Sequence, residues 1–215
     1  MYPKKFFSSR SWWLQEHLND KYVKQAKTLG VRSRAWFKLD EIQKCDKLLQ
    51  PNMSVIDLGA APGSWSQYAI QHIGLKGQVI ACDILPITPI KDVNFVQGDC
   101  TNEYVRQQLF RMIKNQNKVQ LIMSDMSPNI SGIYIADVHR MIFLAKMALK
   151  ICNIALDFNG GFLVKMFYGE GFDEYLQNIR TLFKKVRTRK PEASRTRSSE
   201  VYIVATGFKK HSHIY

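Results

Sequence analysis

Four ionisable side chains stand where they could move a proton during a group-transfer reaction. They are Lys38 in an early helix, Asp125 after an apolar strand, Lys165 within an apolar strand, and Glu200 just before the last strand. Lysine is rarely buried unless a carboxylate compensates its charge. Lys165 therefore predicts a buried partner such as Asp125, and a solvent-exposed lysine on an edge strand is the alternative.

A loop of small residues and two strand-end carboxylates indicate a ligand site. The loop reads DLGAAPGSW at positions 57–65, between the first predicted strand and a helix, and its small residues let a ligand approach the backbone. Asp83 ends the second strand and Asp99 follows the third, where ligands of open α/β sheets bind. Asp83 could accept hydrogen bonds from both hydroxyls of a ribose, and Asp99 from the amino group of adenine. A tight turn with solvated carboxylates is the alternative.

The same loop restricts the kind of ligand. It lacks the G-x-G-x-x-G pattern of dinucleotide-binding dehydrogenases. The negative charge of Asp57 would repel a phosphate and could favour a cationic ligand, such as S-adenosylmethionine with its sulfonium and ammonium groups. Zinc is not expected, because no two cysteines among Cys45, Cys82, Cys100 and Cys152 have C-x-x-C spacing.

Strands and helices alternate along the chain and must position these residues. Hydrophobic patterns predict strands at 53–58, 78–84, 93–96, 119–124, 161–167, 186–189 and 201–206. They predict helices at 33–49, 62–73, 101–114 with Thr101 as N-cap, 134–156 and 172–183. This alternation is typical of an α/β protein whose mostly parallel sheet is covered by helices on both faces. We expect one domain over 33–208, a basic arm with some helix around 11–29 within 1–32, and a disordered tail at 209–215.

The positive charge is concentrated at the two ends of the chain. The formal net charge is +13, with +7 in residues 1–38, +8 in residues 180–215 and −2 between them. Such segregation indicates a nucleic-acid-binding surface. The basic residues expected to contact RNA are Lys4, Lys5, Arg10, Lys21, Lys24, Lys27, Arg32 and Arg34, then Arg180, Lys184, Lys185, Arg187, Arg189, Lys190, Arg195 and Arg197. The aromatic residues Trp12, Trp13 and Tyr22 could stack on bases, or could anchor the arm by apolar packing.

Six motifs together resemble the FtsJ/RrmJ family of ribose 2'-O-methyltransferases. They are DLGAAPGSW at 57–65, ACD at 81–83, GDC at 98–100, SDMSPN at 124–129, GGFLVKMF at 160–167 and SSEVYIVATG at 198–207. The resemblance implies a Rossmann-like S-adenosylmethionine-dependent fold and a catalytic tetrad of Lys38, Asp125, Lys165 and Glu200. Together with the loop residues, the predicted cofactor site comprises Asp57, Gly59, Pro62, Gly63, Trp65, Asp83, Asp99 and Asp125. Two small departures are Ser64, where many members have glycine, and Ser127, where many have alanine.

The resemblance also implies a substrate and a reaction. It points to methylation of a uridine 2'-hydroxyl in the A loop of 23S rRNA, within the large ribosomal subunit. Lys165 could be the general base, which burial and nearby Lys38 favour and the two carboxylates oppose, or it could orient the hydroxyl. Transfer RNA, a messenger cap and a non-catalytic RNA-binding role in ribosome assembly are the alternatives. We expect a cytoplasmic monomer without a metal or a membrane partner.

Overall fold

A single seven-stranded sheet forms the centre of the molecule. The computed structural model describes residues 20–113, 118–195 and 197–209. The strands are β1 (Ser54–Leu58), β2 (Gln78–Asp83), β3 (Val93–Gln97), β4 (Val119–Ser124), β5 (Leu156–Phe167), β6 (Phe183–Arg189) and β7 (Glu200–Phe208). Their order is β3-β2-β1-β4-β5-β7-β6, and β7 runs antiparallel to both of its neighbours while the other pairs are parallel. The predicted mostly parallel architecture is confirmed.

Helices pack on both faces of this sheet. The described helices are α1 (Lys21–Leu29), α2 (Ala35–Asp46), α3 (Ser64–Ile73), α4 (Glu103–Arg111), α5 (Tyr134–Ala155) and α6 (Phe172–Leu182). Neighbouring residues of a strand point to opposite faces. Val55 accordingly packs with α2 and α3, whereas Ile56 packs with α4, α5 and α6. Because both faces are covered, most residues of the inner strands are apolar, and the buried Asp57 and Lys165 are exceptions.

The strand order brings the candidate catalytic residues to one edge of the sheet. The order reverses between β2-β1 and β4-β5, and ligands of open α/β sheets bind at such a switch point. Strand β7 is antiparallel, so its first residue, Glu200, lies at the edge where β5 ends and pairs with Phe167. Lys165 pairs with Tyr202 in the same register, which places these two side chains side by side on the face that carries α2.

Several predicted boundaries differ from the structure. Lys165 does not lie on an edge strand, because β5 lies between β4 and β7, and the residue is 5% exposed. The N-cap of α4 is Asn102, whose side chain accepts from the backbone N of Tyr104 at 2.8 Å, so the assignment of Thr101 was wrong. Strand β5 begins at Leu156, five residues before the predicted strand, because Leu156 pairs with Val119 of β4.

Parts of the terminal predictions lie outside the described residues. Helix α1 occupies the end of the predicted 11–29 helix, while positions 11–19 and the tail from 210 onward are not described. Among the helices that the structure describes, none is long and apolar enough to cross a membrane.

The cap of α4 gives a stability prediction. Asn102→Ala should lower the free energy of unfolding by about 1 kcal/mol, because the first turn loses a hydrogen-bond acceptor. Thr101→Ala, one residue earlier, is the matched control and should stay within about 0.5 kcal/mol of the parent. Chemical denaturation of the two variants tests this, and a larger loss for Thr101→Ala would restore Thr101 as the cap.

Candidate active site

Two ion pairs lie next to each other at the edge where β4, β5 and β7 meet. Lys165 Nζ lies 3.1 Å from Asp125 Oδ1 and donates a hydrogen bond of 2.7 Å to the Asp125 backbone oxygen. Lys38 Nζ, from α2, lies 2.6 Å from Glu200 Oε1. The structure therefore brings together all four residues of the predicted tetrad, although they are separated by up to 162 positions in the chain.

A buried tyrosine that the sequence analysis missed connects the two pairs. The Tyr202 hydroxyl accepts from Lys38 Nζ at 3.2 Å and donates to Asp125 Oδ1 at 2.9 Å. Burial and the carboxylates of Asp125 and Glu200 raise the pKa of Tyr202 well above its ordinary value, so the phenol keeps its proton. The sequence did contain one signal for Tyr202. It follows Glu200 by two positions, so the two side chains must lie on the same face of β7.

Asp125 is the carboxylate on which this cluster depends. Burial opposes its ionisation, but the ammonium groups of Lys165 and Lys38 and the Tyr202 hydroxyl hold the pKa of Asp125 below its ordinary value. Its backbone N donates to Leu58 O at 3.0 Å, which fixes the chain as it leaves β4. The carboxylate form of Asp125 is therefore favoured, and it compensates the charge of Lys165.

Helix α2 is tied to the β6–β7 end of the sheet, and this sets the position of Lys38. The carboxylate of Asp46 accepts two bonds of 2.8 Å from the Arg189 guanidinium. Glu41 accepts from the backbone N of Ala193 at 3.0 Å, and Arg34 donates to the oxygen of the same residue. These contacts lie on either side of Lys38 along α2. They hold the helix against the segment that leads to Glu200.

Several arginines assigned to RNA contact therefore have intramolecular partners. Arg34 pairs with Asp20 as well as with Ala193, and Arg187 and Arg189 pair with Asp46. The expected basic surface is thus smaller than the count of basic residues indicates.

A cavity of about 470 Å³ opens on the β1–β2–β4 side of the cluster. Gly59, Asp83, Asp99 and Asp125 of the predicted cofactor site line it. Asp83 accepts from the backbone N of Ala61 and of Leu85, at 2.8 and 2.9 Å, so its position is fixed. Each carboxylate oxygen has further lone pairs and can accept a second bond from a ligand.

Gly59 is required by its backbone conformation. Its φ is +74°, and a Cβ built there would lie 2.7 Å from Cα of Met126. The loop therefore packs directly against the chain that follows β4, which keeps it at the cavity.

The other predicted cofactor residues lie outside the lining of this cavity. Asp57 is a fully buried residue of β1 that accepts from Ser66 Oγ at 2.6 Å. Trp65 is 2% exposed and donates from Nε1 to Ala35 O at 2.8 Å. The backbone oxygen of Pro62 and the region around Gly63 instead contact an arginine that the sequence analysis had assigned to RNA.

That arginine, Arg32, connects two loops beside the cavity. Nη1 donates to Pro62 O at 2.9 Å and Nη2 donates to Pro89 O at 3.0 Å. The first loop contributes Ala61 to the cavity wall, and the segment before Pro89 contributes Ile84 and Leu85. Arg32 therefore holds the two loops at a fixed separation, a role that residue type alone did not reveal.

A second cavity, of about 300 Å³, opens on the other side of the cluster. Lys38 and Glu200 line it, together with Arg34, Ser127, Ile130, Phe167, Arg195 and Ser198. Ser127 lines both cavities, so the catalytic candidates stand between them. Within the described ranges, no group of three or more potential metal ligands is present.

Comparisons with known proteins are consistent with this geometry. The model of the FtsJ-like methyltransferase family matches residues 31–208. A protein assigned as a ribosomal RNA methyltransferase from Plasmodium falciparum is 26% identical, with a TM-score of 0.76 over 84% of this chain and 100% of that chain. A protein assigned as an rRNA methylase from Clostridium thermocellum is 14% identical, with a TM-score of 0.53 over 79% and 96%, and supports the fold alone.

Asp57 gives a pH prediction. Burial, opposed by the hydrogen bond from Ser66 and reinforced by Asp125 and Asp83, raises its pKa from 3.8 to about 7. The folded chain then holds a proton that the unfolded chain releases between about pH 4 and pH 7. The free energy of unfolding should therefore fall as the pH rises through this window. Asp57→Asn should flatten that dependence.

The measurement is denaturant unfolding of both proteins from pH 4 to pH 8. Since other groups also titrate, the informative quantity is the difference between parent and variant. A difference that does not change with pH would show that Asp57 is ionised throughout.

Proposed function

Because the chain belongs to the FtsJ-like methyltransferase family, we propose that it methylates a ribose 2'-hydroxyl of ribosomal RNA with S-adenosylmethionine as donor. The proposed target is a uridine in the A loop of 23S rRNA, within the large ribosomal subunit. The observation that carries the proposal is the position of the four-residue cluster between two cavities. Asp125 lines the larger cavity, while Lys38 and Glu200 line the smaller one.

The larger cavity suits S-adenosylmethionine in its chemistry. Asp83 can accept from the ribose hydroxyls and Asp99 from the adenine amino group, while Gly59 allows close approach of the backbone. Three carboxylates line the cavity, and among the described residues of its lining Arg140 is the only arginine or lysine. This charge disfavours a phosphorylated ligand and favours a cationic one. When bound, S-adenosylmethionine would supply an electrophilic methyl group on a sulfonium.

The protein's own groups would orient and activate the acceptor hydroxyl. Lys165, held by Asp125, would take its proton or direct its lone pair. Lys38, held by Glu200 and Tyr202, adds a second ammonium on the acceptor side. In-line displacement depends mainly on alignment, and the network of short contacts supplies a rigid frame for it.

The charge distribution supports an RNA substrate. The two basic ends of the chain would bind phosphates, which gives affinity without choosing the sequence. Lys21, Lys24 and Lys27 lie together on α1, and Lys184 and Lys185 lie on the edge strand β6. Helix α1 packs on α2 and β6 is the outer strand of the sheet, so both groups of lysines lie at the periphery of the fold.

The direct test is transfer of a labelled methyl group to large subunits from a strain that lacks the enzyme, with mapping of the modified ribose. Lys165→Met should lose about 10²–10⁴-fold in single-turnover rate, because the group that handles the hydroxyl is removed. Lys165→Arg should fail as well, since guanidinium keeps its proton and has a different shape. Affinity for S-adenosylmethionine, measured by calorimetry, should change little.

Lys76→Met is the matched control, because Lys76 is exposed at the opposite end of the sheet. It should keep the rate of the parent. A Lys165→Met variant within about threefold of the parent would remove Lys165 from the mechanism. Absence of any methyl transfer by the parent to ribosomal RNA would contradict the function itself.

Arg32 gives an independent prediction. Arg32→Ala should raise the dissociation constant of S-adenosylmethionine about tenfold, because two hydrogen bonds that fix the cavity loops are lost. At saturating cofactor the turnover number should stay near that of the parent, and Arg32→Lys should restore part of the affinity. If RNA affinity falls and cofactor affinity does not, Arg32 contacts RNA as the sequence analysis expected.

A further inference from the structure

The smaller cavity has a lining that the transfer chemistry does not explain. Its inner part carries Lys38 and Glu200, but its wall also carries Ile130 and Phe167. Ile130 is 63% exposed, and Phe167 is the last residue of β5, opposite Glu200 in the β5–β7 register. An exposed isoleucine and a strand-end phenylalanine beside a buried charge cluster indicate an apolar contact with the acceptor.

The depth of the charge cluster limits how an RNA can reach it. Lys165 is 5% exposed and Glu200 8% exposed, so the reacting ribose must enter the recess. In an RNA duplex the 2'-hydroxyls lie in the shallow minor groove between two backbones. A duplex is too wide for a cavity of about 300 Å³. Enzymes that act on a buried nucleotide take it out of the stack.

We propose that the smaller cavity binds one nucleoside that has left the base stack, with its base against Ile130 and Phe167 and its ribose toward Lys38. This inference rests on the proposed function and names the form of RNA that the site accepts, namely an unpaired nucleotide. Arg195 lines the same cavity, and its guanidinium suits a flanking phosphate, whereas the charge of Arg34 is compensated by Asp20.

The register of β5 supports the placement of the base. Lys165 and Phe167 are two positions apart and therefore point to the same face of the sheet. A base packed on Phe167 would carry its ribose along the strand toward Lys165. Aromatic side chains hold unstacked bases by stacking in many single-strand-binding sites.

Variants of the apolar wall test this site. Phe167→Ala and Ile130→Ser should each lower kcat/KM for RNA by about tenfold or more, with unchanged affinity for S-adenosylmethionine. Phe158→Ala and Ile154→Ser are the matched controls, because Phe158 near the start of β5 and Ile154 at the end of α5 are exposed and lie at the other end of β5 from Phe167. They should keep the parent activity. Wall variants that stay within about threefold of the parent would overturn the proposal.

A binding measurement separates this inference from the proposed function. Uridine 5'-monophosphate is titrated into isoleucine-methyl-labelled protein saturated with S-adenosylhomocysteine, and methyl NMR shifts are followed. We expect a shift of the Ile130 methyl and none of the Ile154 methyl. Equal shifts, or no shift at Ile130, would overturn the nucleoside site. A selective Ile130 shift in a protein that methylates no RNA would support the site while contradicting the proposed function.

Discussion

Charge compensation in a recess almost closed to water is the constraint on which the candidate active site depends. Two ammonium groups lie there, and each has a carboxylate partner. Lys165 lies 3.1 Å from Asp125, and Lys38 lies 2.6 Å from Glu200. The Tyr202 hydroxyl accepts from one pair and donates to the other, so the two pairs form one network. Removing any one carboxylate would leave a buried cation without compensation, which is strongly destabilising.

The need to compensate these charges explains why β7 runs antiparallel and why α2 is bonded to the β6–β7 end of the sheet. The four charged residues come from α2, the end of β4, β5 and the start of β7. A parallel β7 would place Glu200 at the far edge of the sheet, away from Asp125. The antiparallel direction brings it opposite Phe167, and Ser194 then donates to its carboxylate at 2.8 Å. The Asp46–Arg189 pair holds α2 close enough for Lys38 to complete the network.

The sequence predicted the sheet and the four charged residues, but it did not predict the side chains that contact them or hold their helix in place. Lys165 was identifiable because a charge within an apolar strand is unusual, and its burial made a partner necessary. Tyr202 was missed because tyrosine is an ordinary strand residue, and only the cross-strand register reveals that its hydroxyl meets Asp125. Arg189 was assigned to RNA because its partner, Asp46, lies 143 positions away. Contacts of that separation depend on the tertiary fold and leave no local pattern.

The two roles proposed for Lys165, general base and orienting group, differ by one proton on its Nζ. Its Nζ faces the backbone oxygen of Asp125 at 2.7 Å and the carboxylate at 3.1 Å, and both contacts require N–H donors. A neutral amine has two N–H groups and one lone pair, so these two contacts would turn the lone pair toward the remaining tetrahedral direction. An ammonium would present a third N–H in that same direction, and the ribose oxygen would accept a hydrogen bond from it. Under the proposed function the acceptor hydroxyl would lie in that direction, and one proton on Nζ would distinguish a Lys165 that removes the hydroxyl proton from one that only aligns the hydroxyl.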